Sequence, residues 1–416
     1  MMIFSIALLN LLKKRKILLL FIVLFYSLVS VLTYYCFRRY YNIINFWLID
    51  KYIKYSILCL LYLLIVCLVI ETILLFGLPF SRFKIENQLK GIKYLKNDKF
   101  RPTLIDVTKK GNGEMLSFYS RIPKETFEDK TAETETALNK KIFDYKCEGS
   151  PRITTICVGD LEKFRKKNMV YNDSMCDKNS AEFVLGESCF EKISIDISKT
   201  PHILLGGGSG SGKGNLIRCM IRQSLLKGFE IYILDISGAT DYYMFDNGKV
   251  NFAKDLDSIE KSLKELQEIR NKRQRIFDET KTVDIIDYNK KNSNKMNMIF
   301  IAIDEYAQLM TFKAFSKETA EKVKLIENII MDLACNSRKA GFCLCVALQR
   351  AEANTINGTI KENLINKIVG RCDSYSSAMV IGDDKACKLI NSNDIGMFYH
   401  KDKGLFKAYY YDFNSM

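Results

Sequence analysis

The stretch I-L-L-G-G-G-S-G-S-G-K-G-N, Ile203 to Asn215, decides the fold. The apolar triplet Ile203, Leu204, Leu205 reads as a buried strand, glycines and serines follow it, and an amphipathic helix opens near Leu216. In a strand, glycine-rich loop and helix, backbone N–H groups can converge on phosphate oxygens because few side chains block them. The helix aims its positive dipole end at the same point. Lys213 is the expected cation for the β and γ phosphates. The expected nucleotide-binding set is Gly207, Gly208, Ser209, Gly210, Ser211, Gly212, Lys213, Gly214 and Asn215. One of these breaks the pattern, since Gly214 stands where a Ser or Thr hydroxyl ordinarily meets Mg²⁺. With Gly214 there, water, Ser211 or Asn215 is expected to fill that place.

Working outward, M-I-F-I-A-I-D-E at Met298 to Glu305 is an apolar strand that carries two carboxylates out at its C-terminal edge, where open α/β sheets bind ligands. Asp304 is expected to hold Mg²⁺ through water, and Glu305 to take a proton from an attacking water. C-L-C-V-A-L-Q-R at Cys343 to Arg350 is a further buried strand, and Gln349 at its end is placed to sense a γ phosphate or orient water. Around these motifs the sequence alternates strands with longer helices, which predicts a mainly parallel sheet covered on both faces. The expected strands are His202 to Leu205, Glu230 to Leu234, Met298 to Ile303, Phe342 to Ala347 and Lys367 to Arg371. Helices are expected over Asp255 to Phe277 and Ser316 to Ser337, with Ser316 as an N-cap.

The other end of the chain is of a different kind. Ile17 to Phe37 is an uncharged apolar stretch long enough to cross a bilayer as a helix, and Ser56 to Phe80 is a second, interrupted only by Glu71. Residues 1–99 hold fourteen Lys and Arg against four acids, and so carry most of the chain's formal charge of +14. The basic character therefore belongs to the anchor, and gives no argument for nucleic acid by itself. Lys13 to Lys16 precede the first span and Arg82, Lys84, Lys90, Lys93 and Lys96 follow the second, which predicts both ends in the cytoplasm. Arg38, Arg39, Lys51 and Lys54 between the spans pull against that orientation.

Residues 100–180 read as a small α+β module, with a strand at Arg152 to Val158 and a helix of weak amphipathicity within 121–141. Thirteen cysteines without C-x-x-C pairs indicate reduced thiols. With only His202 and His400, a histidine zinc site or a Ser-His-Asp triad is not expected. His202, directly before the loop strand, reads as a packing residue.

L-G-E at Leu185, K-T-P-H-I-L-L-G-G-G-S-G-S-G-K at Lys199, I-D-E-Y-A-Q-L-M at Ile303, S-R-K-A-G at Ser337, A-L-Q-R at Ala347 and the segment Ile381 to Tyr399 occur in an order that resembles the motor domain of the FtsK/SpoIIIE family of DNA translocases. The resemblance covers residues 181–412. It implies a RecA-like P-loop ATPase domain over 181–416, using ATP and Mg²⁺ and working as a homo-hexamer on DNA without sequence preference. It also implies that Arg338 reaches a neighbouring subunit's nucleotide, with Arg350 and Arg371 as weaker candidates. Three positions depart from the family pattern: Gly214, Ala351 where proline is usual, and the chain's end at Met416 without a winged-helix module. A short two-span anchor over residues 1–99, a module over 100–180 and a compact motor resemble the coupling proteins of conjugative elements in Gram-positive bacteria. The expected function is a multi-pass membrane-anchored translocase, ATPase domain in the cytoplasm, that meets a relaxase and secretion-channel proteins. The alternatives are a chromosome-partitioning translocase of the same family, or a non-hydrolysing membrane scaffold that binds nucleotide and recruits a relaxase–DNA complex.

Overall fold

The computed structural model describes residues 2–46, 51–92, 94, 101–147, 150–246, 248–349 and 355–412. Arg350 and Ala351 lie outside the described residues, as do Lys93 and Lys96 of the second flank. The chain divides into two compact units, Met1–Leu161 and Glu162–Met416.

The first unit begins with helix α1 (Met2–Lys14), followed by α2 (Lys16–Phe46) and α3 (Lys51–Gly77). The windows Lys16–Arg39 and Tyr55–Gly77 are long and apolar enough to cross a membrane. Only 6% of each window is buried, so they are not core helices of a soluble domain. The second helix stops at Gly77, short of the expected Phe80, because Pro79 disfavours helical backbone just before it. After α4 (Arg82–Leu89) come β1 (Thr103–Lys110) and β2 (Gly113–Tyr119), the short helices α5 (Lys124–Asp129) and α6 (Thr131–Leu138), then β3 (Lys141–Lys146) and β4 (Ile153–Gly159). These strands form an antiparallel sheet in the order β1-β2-β4-β3. A register shift between Leu104 and Asp106 breaks the strict inside–outside alternation. Leu104 packs in the module's own core, while Ile105 joins Ala7, Leu11, Ile22, Ile73 and Leu78 among the helices. Asn10 fastens the same place by donating to the carbonyls of Ile105 (2.9 Å) and Gly77 (3.2 Å).

The expected module 100–180 therefore ends early, near residue 161. Residues beyond it pack on the second unit: Tyr171 N–H donates to Tyr410 O at 2.8 Å, and Arg222 pairs with Asp173.

The second unit contains β5 (Glu182–Glu187), β6 (Lys192–Asp196), β7 (Ile203–Gly206), α7 (Lys213–Leu226), β8 (Glu230–Asp235), β9 (Val250–Ala253), α8 (Leu256–Thr280), β10 (Ile299–Asp304), α9 (Tyr306–Thr311), α10 (Lys317–Asn336), β11 (Phe342–Leu348), β12 (Asn366–Val369), β13 (Met397–His400) and β14 (Gly404–Ala408). Its ten-stranded sheet runs β6-β5-β14-β13-β12-β7-β11-β10-β8-β9. From β12 to β9 neighbouring strands are parallel; from β12 to β6 they are antiparallel. Strands β7 and β11 are buried along their whole length, as an apolar run covered on both faces requires. The fold is thus a mixed α/β sheet, mainly parallel around the loop. Asp255 and Ser316 each close a capping box at the start of a long helix, α8 and α10. His202 is buried, its Nδ1 accepting the Leu344 N–H at 3.1 Å, and burial beside Arg338 pushes its pKa down to about 4. It is a neutral packing residue, as its position before the loop strand suggests.

Candidate nucleotide site

The parallel register brings the C-terminal ends of β7, β11, β10 and β8 to one edge: Gly206 lies opposite Leu348, and Asp304 opposite Asp235. The loop after β7 is pinned there from both sides. Gly207 N–H donates to Leu348 O, Gly208 N–H to Arg371 O, and Gly396 N–H to Ser211 O. Gly207, Gly210 and Gly212 have φ of 147°, 71° and 101°, in the left-handed region that a residue with a Cβ rarely adopts. Gly212 is also tightly packed, since a Cβ there would lie 3.1 Å from Gly396 N.

Lys213 is only 7% exposed and its ammonium donates to Gly207 O at 2.6 Å. Burial lowers its pKa, against the pull of the nearby Glu305 and Asp304 carboxylates. Asp304 is placed by β10, and burial raises its pKa while a hydrogen bond from Tyr242 opposes the rise. Tyr242 Oη donates to Asp304 Oδ2 at 2.7 Å, and Glu305 N–H to Oδ1 at 3.1 Å. Glu305 caps α9 with φ 55°, an uncommon conformation for a residue with a side chain. Its pKa is raised by burial and by Asp304, and Gln349 hydrogen-bonds to its carboxylate and opposes that rise. Lys213, Asp304, Glu305 and Gln349 therefore meet at one edge.

Two expected residues are placed differently. The Asn215 side chain is engaged elsewhere, its amide donating to Tyr409 O at 2.8 Å and its oxygen accepting from Tyr411 N–H at 2.9 Å. It ties α7 to the strand-end segment and does not fill the place Gly214 leaves. Arg338 is exposed in the turn between α10 and β11, at the end of the sheet opposite Lys213, so it does not join this site within one chain. Arg371 by contrast lies on the loop in the same chain, with its guanidinium donating to Ser209 O and Ser392 O. Sequence reading missed Tyr242 and Asp235. Asp235 had a usable signal, a second apolar strand ending in aspartate; Tyr242 had none, because only the turn after β8 brings it to β10.

The residues fit a nucleotide with a divalent cation. The loop has open backbone, its lysine is buried with loop carbonyls as its hydrogen-bond acceptors, and the buried Ser211 Oγ has no hydrogen-bond partner among the described residues. Among the described residues no group of three or more His, Cys, Asp or Glu would hold a metal alone. The Asp304 and Glu305 carboxylates beside the loop suit Mg²⁺, which binds through one or two carboxylates, phosphates and water.

Residues 175–353 match the model of the FtsK/SpoIIIE family. Over these residues the chain is similar to that family. The chain is 28% identical over 248 residues to the DNA translocase FtsK of Staphylococcus epidermidis, covering 54% of this chain and 30% of that protein. The FtsK of Borreliella burgdorferi is 27% identical over 227 residues, covering 51% and 28%. The chain thus spans less than a third of the length of these curated relatives. A solved structure described as the pCW3 conjugation coupling protein TcpA, monomer form with ATPγS, is 29% identical, with a TM-score of 0.60. That likeness covers 81% of this chain and 97% of the solved chain, so it reaches beyond the family domain.

Proposed function

We propose that this protein is a membrane-anchored, ATP-driven DNA translocase that acts as a coupling protein in conjugative DNA transfer. The observation that carries this reading is the match to the solved coupling-protein chain TcpA, 29% identical over 81% of this chain, where the match to FtsK covers 54% of it. A translocase of the chromosome-partitioning kind is the second reading, favoured by the sequence identity to FtsK alone.

The division of labour follows from the site. The loop from Gly207 to Gly214 and Lys213 would hold the ATP phosphates, and Asp304 would hold Mg²⁺ through water. The bound metal would neutralise charge on the β and γ phosphate oxygens. Glu305, with its proton affinity raised by burial, takes the proton of the attacking water, and Gln349 orients Glu305 through its hydrogen bond. Arg338 would stabilise the transferring phosphoryl charge on a neighbouring subunit in a homo-hexamer. DNA would be gripped by its phosphate backbone without sequence preference. The two apolar helices would both span the membrane, with the chain's ends and the ATPase unit in the cytoplasm, where relaxase and secretion-channel proteins would be met.

The test is steady-state ATP hydrolysis by the full chain in detergent, with and without DNA, for the wild type and Glu305→Gln. The expected result is DNA-stimulated turnover that falls at least about a hundredfold in the variant. Equal, background-level turnover in both would leave a nucleotide-binding scaffold in place of a motor.

A further inference from the structure

Gly214 deprives the loop of the hydroxyl that ordinarily shares the metal with the strand aspartate. The space it opens has two polar neighbours. A Cβ at Gly214 would lie 3.9 Å from Tyr242 Oη and 3.7 Å from Asp241 Oδ2, both ordinary contact distances, so a serine Cβ would fit there beside these groups. Tyr242 is fully buried, and its hydroxyl already donates to Asp304 Oδ2.

The delivery of Tyr242 is itself built. Asp235, at the end of β8 and level with Asp304 in the sheet, accepts hydrogen bonds from Ser237 N–H (2.8 Å), Ser237 Oγ (2.6 Å) and Ala239 N–H (2.9 Å). These bonds fold the turn after β8. Ala239 follows with φ 60°, and a 3₁₀ turn over Thr240–Phe245 then carries Tyr242 back beneath the loop. A buried alanine in a left-handed conformation is uncommon and costs about 1 kcal/mol, so the turn is held against a local preference.

We infer that Tyr242 is a positioning residue for Asp304, taking over from the neighbouring strand's exit the hydroxyl contact that the loop itself lacks at Gly214. Asp304 is then fixed at both oxygens, by Tyr242 and by the Glu305 N–H, before any nucleotide arrives. This inference rests on the nucleotide reading above, and predicts a dependence on Mg²⁺ that a phenol serving only the core would not produce.

The experiment measures binding of a fluorescent ATP analogue to the full chain in detergent, in Mg²⁺ and in EDTA, with the melting temperature of each variant. Tyr242→Phe, which removes one oxygen, is expected to reduce the Mg²⁺-dependent gain in affinity roughly tenfold, as loss of a hydrogen bond to a charged group does. Affinity in EDTA is expected to change less than about twofold. Adding Gly214→Ser to Tyr242→Phe is expected to restore most of the gain. Equal losses in Mg²⁺ and EDTA, or no loss in either, overturn the inference.

Gly214→Ser in the otherwise unaltered chain gives a check that does not depend on Tyr242→Phe folding. It is expected to strengthen Mg²⁺-dependent binding less than about twofold, and a tenfold gain would show that Asp304 had lacked its partner. If the wild type binds the analogue equally well in Mg²⁺ and EDTA, this inference alone fails. If it binds in neither, the nucleotide reading fails and takes this inference with it.

Discussion

At Asp304 two demands conflict. The chemistry needs a carboxylate beside Lys213, whereas burial and the neighbouring Asp235 favour the protonated acid. Because its pKa is raised above the unfolded value, its contribution to stability is fully present below the unfolded pKa and is lost as pH rises through the folded one. As pH rises through that folded pKa, the buried carboxylate becomes ionised and weakens the fold of the nucleotide-free protein. Asp304→Asn keeps an oxygen for Tyr242 and removes the charge. It is expected to raise the melting temperature of the nucleotide-free protein at pH 7 by on the order of 2–4 °C and to abolish turnover, with the stability gain shrinking as pH is lowered. Thermal denaturation of both proteins across pH 4–8 checks this; a variant less stable than the wild type at pH 7 would contradict it. The residues whose chemistry demands a fixed sequence neighbour, Lys213 in its loop and the Asp304–Glu305 pair at a strand end, were legible in the sequence. Tyr242, which arrives through space, was not, and Arg371 was read only as a weaker candidate for a neighbouring subunit's nucleotide, not as a partner of its own loop. For Asn215, adjacency to the loop does not reveal that its side chain bonds to the backbone of Tyr409 and Tyr411, which leaves water or Ser211 for the place at Gly214.

Among the elements, legibility followed burial on both faces. Strands β7, β8, β10 and β11 are apolar runs between polar breaks, and the sequence located each within one residue at either end. Helices α8 and α10 announced their starts through Asp255 and Ser316, whose side chains accept the N–H groups three residues on. The antiparallel strands β5, β6 and β14 were not anticipated: Lys192–Asp196 does alternate, but over only five residues, and β5 and β14 are short with glycines that break the alternation. The end of β12 has a consequence for the loop. A Cβ at Gly370 would lie 2.9 Å from the Phe398 ring and 3.2 Å from Ser211 Cβ. Phe398 is fully buried and stacked on Phe406, so it cannot yield, and the easier displacement is of the loop at Ser211. Gly370→Ala is expected to cost about 1–3 kcal/mol of stability, as overpacking does. It is also expected to weaken nucleotide binding severalfold, read by denaturant unfolding and by analogue binding. Lost stability with unchanged affinity would mean that the loop does not move with β12.

For the molecule as a whole, the position of Arg338 sets the problem. It is exposed at the edge of the sheet opposite Lys213, so no rearrangement of side chains within one chain brings it to the phosphates. If it serves catalysis, it does so on another copy, and each complete site draws Lys213, Asp304 and Glu305 from one subunit and Arg338 from the next. That arrangement has a signature no single-chain site can imitate. Lys213→Ala and Arg338→Ala should each reduce DNA-stimulated ATP hydrolysis at least about a hundredfold in pure form, within the range that arginine fingers contribute. Yet they damage different halves of a shared site. In a ring mixed from the two variants, an Arg338→Ala subunit keeps an intact Lys213 loop, and where its neighbour is a Lys213→Ala subunit it receives an intact Arg338. Mixed rings assembled in detergent should therefore recover turnover above that of either variant alone, with the recovery peaking near equal proportions. Monomers held apart by dilution should show none. If mixing yields only the average of the two variants, Arg338 does not act across a subunit boundary, and the arginine that completes the site must come from elsewhere on the chain.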